Sequence, residues 1–138
     1  MKYGSLILEK KEFVTLKRLL SLAGNHKDAA RKNSVLRLQS EMETAIVSDE
    51  EDMPDDVIRF NSEVTVVSGD GWENNFQLVA PTESNYSNKK LSVLTAMGLA
   101  VMGYAKGDVI DWEFPGGAKS LEVKEVKQVK VESNQIKL

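Results

Sequence analysis

The spacing of the hydrophobic residues changes at an acidic segment, residues 49–56, which reads DEEDMPDD. Before this segment the apolar residues recur every three or four positions, as on one face of a helix, whereas after it they recur every second position, as along a strand. A run of like charges is typical of a solvated linker, and Pro54 prevents a helix from continuing through it. The sequence therefore predicts an α+β protein with a helical part at 1–48, a linker at 49–56 and a sheet at 57–138.

Two helices are predicted before the acidic segment, after a short extended stretch at Leu6–Leu8. Their apolar stripes comprise Phe13, Leu16 and Leu20 in the first helix and Val35, Leu38, Met42 and Ala45 in the second. Gly24 and Asn25 interrupt the pattern between them, and either Asn25 or Asp28 can cap the second helix. Two helices joined by so short a turn predict an antiparallel coiled-coil hairpin. Because both stripes are too narrow for deep burial, we expect a short arm that projects from the rest of the protein.

A sheet with one short helix is predicted after the acidic segment. Alternating apolar residues indicate strands at 57–60, 64–67, 72–79 and 109–114, and a last strand that begins at Leu121. Between them, the polar residues 81–90 indicate a loop, and Thr95 is a suitable cap for a short helix that continues to Met102. The alternation breaks between Val123 and Val126, so residues 127–138 are either a bulged extension or a loose tail.

Composition excludes several classes of site. The chain has no cysteine and one histidine, His26, so disulfides and thiolate sites are excluded, and neither a transition-metal site nor a Ser-His-Asp triad is expected. The glycines do not form a phosphate-binding motif, and no cofactor is predicted. No apolar run is long enough for a membrane span, and the first apolar stretch is too short for a secretory signal. We therefore expect a cytoplasmic protein that does not bind membranes.

The net charge of −3 is unevenly distributed along the chain. Residues 1–48 contain nine basic and five acidic side chains, the acidic segment contains six acids and no base, and residues 57–138 contain nine bases and ten acids. Contact with nucleic acid requires a concentrated basic surface. Only the helical part has the surplus of positive charge for such a contact, and that surplus is modest.

The segment from Lys90 to Asp108 carries the most specific pattern in the chain. Its sequence, KLSVLTAMGLAVMGYAKGD, resembles the I-S-x-x-S-P-x-G-x-A-L-x-G-x-x-x-G-D run in the C-terminal domain of the Gre transcription elongation factors. The PGG triplet at 115–117 is similar to a turn of that domain, and MPDDVIRFNSEV at 53–64 resembles its first residues. The match extends in register over residues 54–126, whereas the helical part resembles a truncated Gre arm in architecture alone.

The resemblance implies a protein in two parts. Its C-terminal domain would be an FKBP-like half-barrel, in which a curved antiparallel sheet holds the short helix. Gre factors dock through this domain at the rim of the RNA polymerase secondary channel, and their coiled coil points inward. The polymerase-binding residues that the motif implies are Lys90, Leu91, Ser92, Thr95 and Ala96. The last of these differs from the family, which usually has proline at that position.

Gre factors stimulate transcript cleavage with a pair of acids at the arm tip, which help to hold a second Mg²⁺ in the polymerase. Mg²⁺ prefers anionic oxygen ligands, and cations beside the metal oppose its role in hydrolysis. The arm tip of this chain comprises His26, Lys27, Asp28, Arg31 and Lys32, with a single acid among them. We therefore predict a regulator that is not an enzyme, binds RNA polymerase, competes with Gre factors and does not stimulate cleavage. Contact with nucleic acid would be indirect, within the elongation complex.

Three alternatives remain open at this point. The first is transcript cleavage in which Asp28 shares the metal with a polymerase carboxylate. The second is a peptidyl-prolyl isomerase-like module, suggested by the fold and by Trp112 and Phe114, although fold is a poor guide to function. The third is a general interaction module whose helical stripes pair with another copy, since such seams form between chains as well as within one. The predicted oligomeric state is accordingly a monomer or a weak homo-oligomer.

Overall fold

The computed structural model describes residues 1–23, 29–114 and 117–129, and it confirms the α+β class. Within these residues three α-helices and two sheets are present. The helices are α1 (Lys10–Ala23), α2 (Ala29–Met42) and α3 (Ala96–Val101). The strands are β1 (Ile7–Glu9), β2 (Ile46–Ser48), β3 (Glu63–Ser68), β4 (Glu73–Val79), β5 (Lys90–Ser92), β6 (Val109–Phe114) and β7 (Gly117–Lys127). Short 3₁₀ turns occur at Glu50–Asp52, Pro81–Glu83 and Tyr86–Asn88.

The main sheet has the strand order β5-β4-β3-β7-β6. The pairs β3–β4, β3–β7 and β6–β7 are antiparallel, as predicted for the whole sheet. The β4–β5 pair is instead parallel, with Leu78 opposite Leu91, so the prediction was wrong for this pair. The reason is the connection: two 3₁₀ turns in residues 81–88 return the chain to Gln77 within β4, so that β5 runs in the same direction as β4, whereas a tight hairpin would have reversed the direction of the chain.

A β-bulge lies in β7 where the alternation of apolar residues breaks. The pairing of β7 with β3 shifts between Thr65, opposite Glu125, and Val66, opposite Val123, so Lys124 is the additional residue. The strand ends at Lys127, the first residue of the range for which an extension or a tail was predicted, and Gln128 and Val129 lie outside any strand. Residues 130–138 lie outside the described part of the chain.

The strand predicted at 57–60 does not form. Val57 makes a single antiparallel bridge with Ala105, and Ile58 exchanges backbone hydrogen bonds with the segment after α3: its N–H donates to Tyr104 O at 2.8 Å, and its carbonyl accepts from Gly103 N at 3.1 Å. The apolar residues Val57 and Ile58 are nevertheless fully buried. The apolar pattern at 57–60 thus identified buried positions correctly, but these residues do not form the β-strand that it predicted.

The two long helices share one hydrophobic core with the main sheet. Leu16, Leu20, Val35 and Leu38 are each at most 1% exposed, and they belong to the same cluster as Phe76 of β4. The expectation that the helical stripes would escape deep burial was therefore wrong. Partly buried neighbours, among them Phe13, Leu19 and Ala45, widen the contact beyond the narrow stripes. The division into an arm, a linker and a C-terminal domain stays a prediction, and the core extends across its proposed boundaries.

The start and end of the helical hairpin are held together by a second, two-stranded sheet. Here β1 pairs with β2 in parallel, with Ile7 opposite Ile46. At the end of β1, the Glu9 carboxylate accepts hydrogen bonds from the backbone N–H groups of Lys11 (3.0 Å) and Glu12 (3.1 Å), which caps the first turn of α1. Only three residues form β2, so a period-two pattern could not reveal it.

Candidate functional site

The β5–α3 segment, residues 90–101, is an edge strand, a tight turn and a short helix. The Ser92 hydroxyl accepts a hydrogen bond from Leu94 N at 3.0 Å. The Thr95 hydroxyl donates to Ser92 O at 2.7 Å and accepts from Gly98 N at 3.1 Å, so it caps α3 as predicted. Both hydroxyls are therefore committed to backbone groups, and their role within the chain is to fix the path of the segment.

Gly98 allows α3 to lie directly on the preceding turn. A Cβ atom at this position would be 2.5 Å from Ser92 O and 2.7 Å from the Cα of Val93, both of them backbone atoms. No side chain fits at these distances unless the backbone moves, and close-packed protein interiors resist such a movement. Gly98 therefore sets the distance between the helix and the edge strand.

The implied polymerase-binding residues differ in how far they reach the surface. Lys90, Leu91, Thr95 and Ala96 are partly exposed, whereas Ser92 is 8% exposed and buried. Four of these five side chains are thus available at the surface in one continuous segment. A partner could contact them directly, whereas the side chain of Ser92 is buried and holds the backbone of the turn.

Two further apolar residues of the segment were not singled out from the sequence. Leu94 and Met97 are partly buried and pack against the core with Leu91, which leaves part of each side chain at the surface. The spacing of three residues from Leu91 to Leu94 to Met97 was a signal that could have revealed them. The segment therefore offers an apolar strip in addition to the residues that the family motif implied.

The described part of the arm tip is basic. Lys32 is exposed and Arg31 is partly buried, both in the first turn of α2. His26, Lys27 and Asp28 lie outside the described residues, as do Gly24 and Asn25. On α1, the solvent-exposed charged residues are Lys10, Lys11, Lys17 and Arg18. The outer face of this helix is consequently positive.

The Arg37 cluster joins α2 to the edge of the main sheet. The Arg37 guanidinium lies 4.2 Å from the centre of the Trp112 ring, donates to the carbonyl of Asp111 at 2.7 Å, and donates to Glu41 at 3.2 Å. Glu41 in turn accepts a hydrogen bond from the Tyr104 hydroxyl at 2.9 Å. Burial and this carboxylate raise the pKa of Tyr104 above its usual value.

Trp112 packs within the Arg37 cluster and does not line an open pocket. Its side chain is 3% exposed, and Arg37 covers its ring. The side chain of Phe114, the other aromatic residue of the strand, lies outside the described part. An aromatic binding site of the kind that suggested an isomerase is therefore not formed by Trp112.

A second charged cluster connects α1 with the acidic segment. Arg59 donates to Glu12 at 3.0 Å and to Glu50 at 2.5 Å. Burial raises the pKa of Glu12 although Arg59 opposes this effect, whereas the hydrogen bond from Arg59 lowers the pKa of the more exposed Glu50. Asp56, at the other end of the acidic segment, forms a salt bridge with Lys2. Two of the acids thus have specific partners.

Two other kinds of feature are absent from the described residues. No group of three or more metal-ligating side chains lies close enough together to hold an ion within residues 1–23, 29–114 and 117–129. In the same ranges, none of the helices has the length and apolar character needed to cross a membrane.

The sequence is similar to one protein family and to several named proteins. Residues 53–128 match the family described as transcription elongation factor GreA/GreB, C-terminal. The regulator of nucleoside diphosphate kinase from Escherichia coli K12 is 40% identical over 92 residues, which are 65% of this chain and 68% of that protein. Transcription elongation factor GreA from Syntrophus aciditrophicus is 31% identical over 105 residues, which are 75% of this chain and 65% of that protein.

A solved structure shows the same relationship in three dimensions. The prokaryotic transcription elongation factor GreA/GreB from Nitrosomonas europaea superimposes with a TM-score of 0.69 at 28% sequence identity, and the match covers 89% of this chain and 98% of that one. Residues 53–128 are little more than half of the chain. The structural similarity therefore includes much of the helical part as well.

Proposed function

Because this chain belongs to the family of the transcription elongation factors GreA and GreB, we propose that it is a transcription regulator that binds RNA polymerase at the rim of the secondary channel. The docking surface would be the β5–α3 segment of an FKBP-like half-barrel. The observation that carries this proposal is that the segment with the family motif lies at a sheet edge with four of its implied contact residues partly exposed.

The segment is suited to docking because its shape is fixed before a partner binds. The hydrogen bonds of Ser92 and Thr95 and the close approach at Gly98 restrain its backbone. A preorganised surface loses little conformational entropy on association, so more of the contact energy appears as affinity. Leu91, Leu94 and Met97 supply apolar area, and Lys90 supplies charge at the start of the strand.

We further propose that the protein competes with Gre factors without stimulating transcript cleavage. The hairpin would act as a short coiled-coil arm, since α1 and α2 have 14 residues each and are about 20 Å long at 1.5 Å per residue. Asp28 is the one acid in the tip sequence, among His26, Lys27, Arg31 and Lys32. A single carboxylate among cations is a poor ligand set for Mg²⁺.

A competition measurement with core RNA polymerase tests docking. Labelled protein should bind the polymerase and should be displaced by an excess of a Gre factor. Ala96→Glu should weaken binding, because it places a charge on the docking surface. The new side chain is at the first position of α3, where a negative charge interacts favourably with the helix dipole, so the helix itself should not be destabilised. The control is Val109→Glu, which introduces the same charge at an exposed residue of β6 on the opposite edge of the sheet. Absence of binding by the unmodified protein, or binding that a Gre factor does not affect, would refute the proposal.

An assay of stalled elongation complexes tests the second part. Addition of the protein should not shorten the transcript, whereas a Gre factor in a parallel reaction should. Transcript cleavage that is lost in Asp28→Ala would instead establish the alternative in which Asp28 shares the metal with the polymerase.

A further inference from the structure

An exposed aromatic side chain lies on the turn that leads into the proposed docking segment. Tyr86 is 67% exposed, the largest exposure among the aromatic residues of the described chain. Its hydroxyl makes no hydrogen bond within residues 1–23, 29–114 and 117–129. Water therefore surrounds most of the ring, and neither burial nor an internal hydrogen bond explains its presence there.

The turn that carries Tyr86 is held rigidly. Asn85 and Lys90 exchange two backbone hydrogen bonds, at 3.0 Å and 2.9 Å, across the base of the turn. The Asn85 side chain accepts from the Ser87 hydroxyl at 2.9 Å and caps the 3₁₀ turn. Lys89 N donates to Tyr86 O at 3.0 Å, and Lys89 adopts a left-handed conformation with φ of 55° that closes the turn. A side chain on such a turn loses little backbone entropy when it is bound.

The turn is continuous with the β5–α3 segment. Lys90, which closes the turn, is the first residue of β5 and the first of the implied polymerase contacts. Gln77 N on β4 donates to Lys89 O at 2.8 Å, which fixes the turn against the sheet edge as well. Tyr86 thus lies beside the edge strand that contains Leu91, the first residue of the apolar strip.

The charge beside the ring defines the kind of surface that fits it. Lys89 is exposed and Lys90 partly exposed, and neither forms a salt bridge within the described residues. A tyrosine offers a large apolar area at low entropic cost, and tyrosine is enriched among residues that dominate binding. The matching partner surface has an apolar recess for the ring, bordered by acidic side chains.

We infer that Tyr86 is an anchor of the interface with RNA polymerase and that its ring enters an apolar, acid-bordered recess on the polymerase. This inference rests on the proposed function and extends the docking surface beyond the residues of the family motif. Lys89 and Lys90 strengthen the contact, which therefore weakens as the salt concentration rises.

Equilibrium binding of the full-length protein to core RNA polymerase tests the role of the ring. Tyr86→Ala should weaken binding about tenfold, the size expected for loss of an interface anchor. Tyr86→Phe should bind within about twofold of the unmodified protein, because it retains the ring. Val109→Ala is the matched control, since Val109 is 61% exposed on β6 at the opposite edge of the sheet, and it should leave binding unchanged.

The outcomes separate this inference from the proposal on which it rests. If Tyr86→Ala binds as tightly as the unmodified protein while Ala96→Glu binds weakly, Tyr86 is not an anchor but the docking proposal stands. If Tyr86→Phe loses as much affinity as Tyr86→Ala, assignment of the contact to the ring is wrong. If the unmodified protein does not bind, both proposals fail. Thermal unfolding of Tyr86→Ala should match that of the unmodified protein, which shows that any loss of binding is local.

Discussion

The helical hairpin and the β5–α3 segment contribute to the same hydrophobic core, but different interactions fix them in place. The hairpin is fixed by long-range packing: its buried leucines meet side chains of the sheet, and its exposed face is solvated and positive. The β5–α3 segment is fixed by short-range backbone contacts around Ser92, Thr95 and Gly98. The hairpin, which has the more conspicuous helical pattern, therefore depends more heavily on the rest of the molecule than the β5–α3 segment does.

Truncation of a buried hairpin residue should have the largest effect. Leu38 of α2 is 1% exposed within the common core, so Leu38→Ala should lower the free energy of unfolding by about 3 kcal/mol. Urea unfolding followed by far-ultraviolet circular dichroism and by tryptophan fluorescence should give coincident transitions that shift together. Both probes should shift because the hairpin shares its core with the sheet.

Leu36→Ala provides the control for this measurement. Leu36 lies on the same helix but is 52% exposed, so its loss should change stability by less than about 0.5 kcal/mol. Two separate transitions in Leu38→Ala, with the fluorescence transition unshifted, would show that the hairpin is an independent arm. The conclusion that the hairpin depends on packing against the sheet would then be wrong.

A methyl group at Gly98 should have the next largest effect. Replacing a helical glycine by alanine ordinarily stabilises a helix by about 1 kcal/mol, but here the new Cβ would lie 2.5 Å from Ser92 O. Relief of that overlap requires the helix and the turn to separate, so Gly98→Ala should destabilise the protein by about 2 kcal/mol on balance. Thermal or urea unfolding measures the change.

Gly69→Ala separates this steric effect from the general effect of adding a methyl group. Gly69 lies in the β3–β4 turn with no atom within 4 Å of the position of a Cβ. It should therefore leave stability within about 0.5 kcal/mol of the unmodified protein. A Gly98→Ala protein that is as stable as the Gly69→Ala protein would show that α3 moves freely over its turn, contrary to a locally fixed segment.

The distinction between short-range contacts and long-range packing also explains which parts of the fold could be predicted from the sequence. Strands β3, β4 and β6 and the Thr95 cap follow from the identity and spacing of neighbouring residues. The parallel β4–β5 pair could not be predicted, because it depends on the path of the connecting residues 81–88. The burial of the hairpin could not be predicted either, because it depends on how distant elements meet. The Arg37 cluster illustrates this limit, since Tyr104 and Glu41 are 63 positions apart in the chain.

The candidate site was predictable in a different way. The family motif identified the implied binding residues, which are Lys90, Leu91, Ser92, Thr95 and Ala96. Periodicity alone predicts only an extended run followed by a helix at these positions. The motif did not reveal that Ser92 is buried or that Tyr86 is exposed beside the segment. Tyr86 lies on the 3₁₀ turn before β5, and α3 packs closely on Ser92, and neither arrangement follows from the motif. The exposure of Ser92 and Tyr86 is therefore known only from the folded structure of this sheet edge.

The Tyr104 hydroxyl connects the two regions, and its removal should have the smallest of these effects. It follows α3 in the chain and donates to Glu41 of α2, so Tyr104→Phe should cost about 1.5 kcal/mol at neutral pH, the value expected for a hydrogen bond to a charged group. The pKa of Tyr104 is raised in the folded protein, whereas the unfolded chain ionises near its ordinary value of about 10. The stabilisation by Tyr104 is therefore complete below about pH 10 and decreases as the pH rises further, because the unfolded state then releases its proton first.

Unfolding free energies measured from pH 7 to pH 11 test this link between the regions. The difference between the unmodified protein and Tyr104→Phe should be constant up to about pH 10 and should then shrink by up to about 1.4 kcal/mol per pH unit. Tyr86→Phe is the control at neutral pH, because the exposed Tyr86 hydroxyl makes no hydrogen bond within the described chain, and its stability should not change. A difference that grows above pH 10 would mean that the hydroxyl ionises more readily in the folded protein than in the unfolded chain. In that case the Glu41 carboxylate does not hold it, and the hairpin and the segment are joined by packing alone.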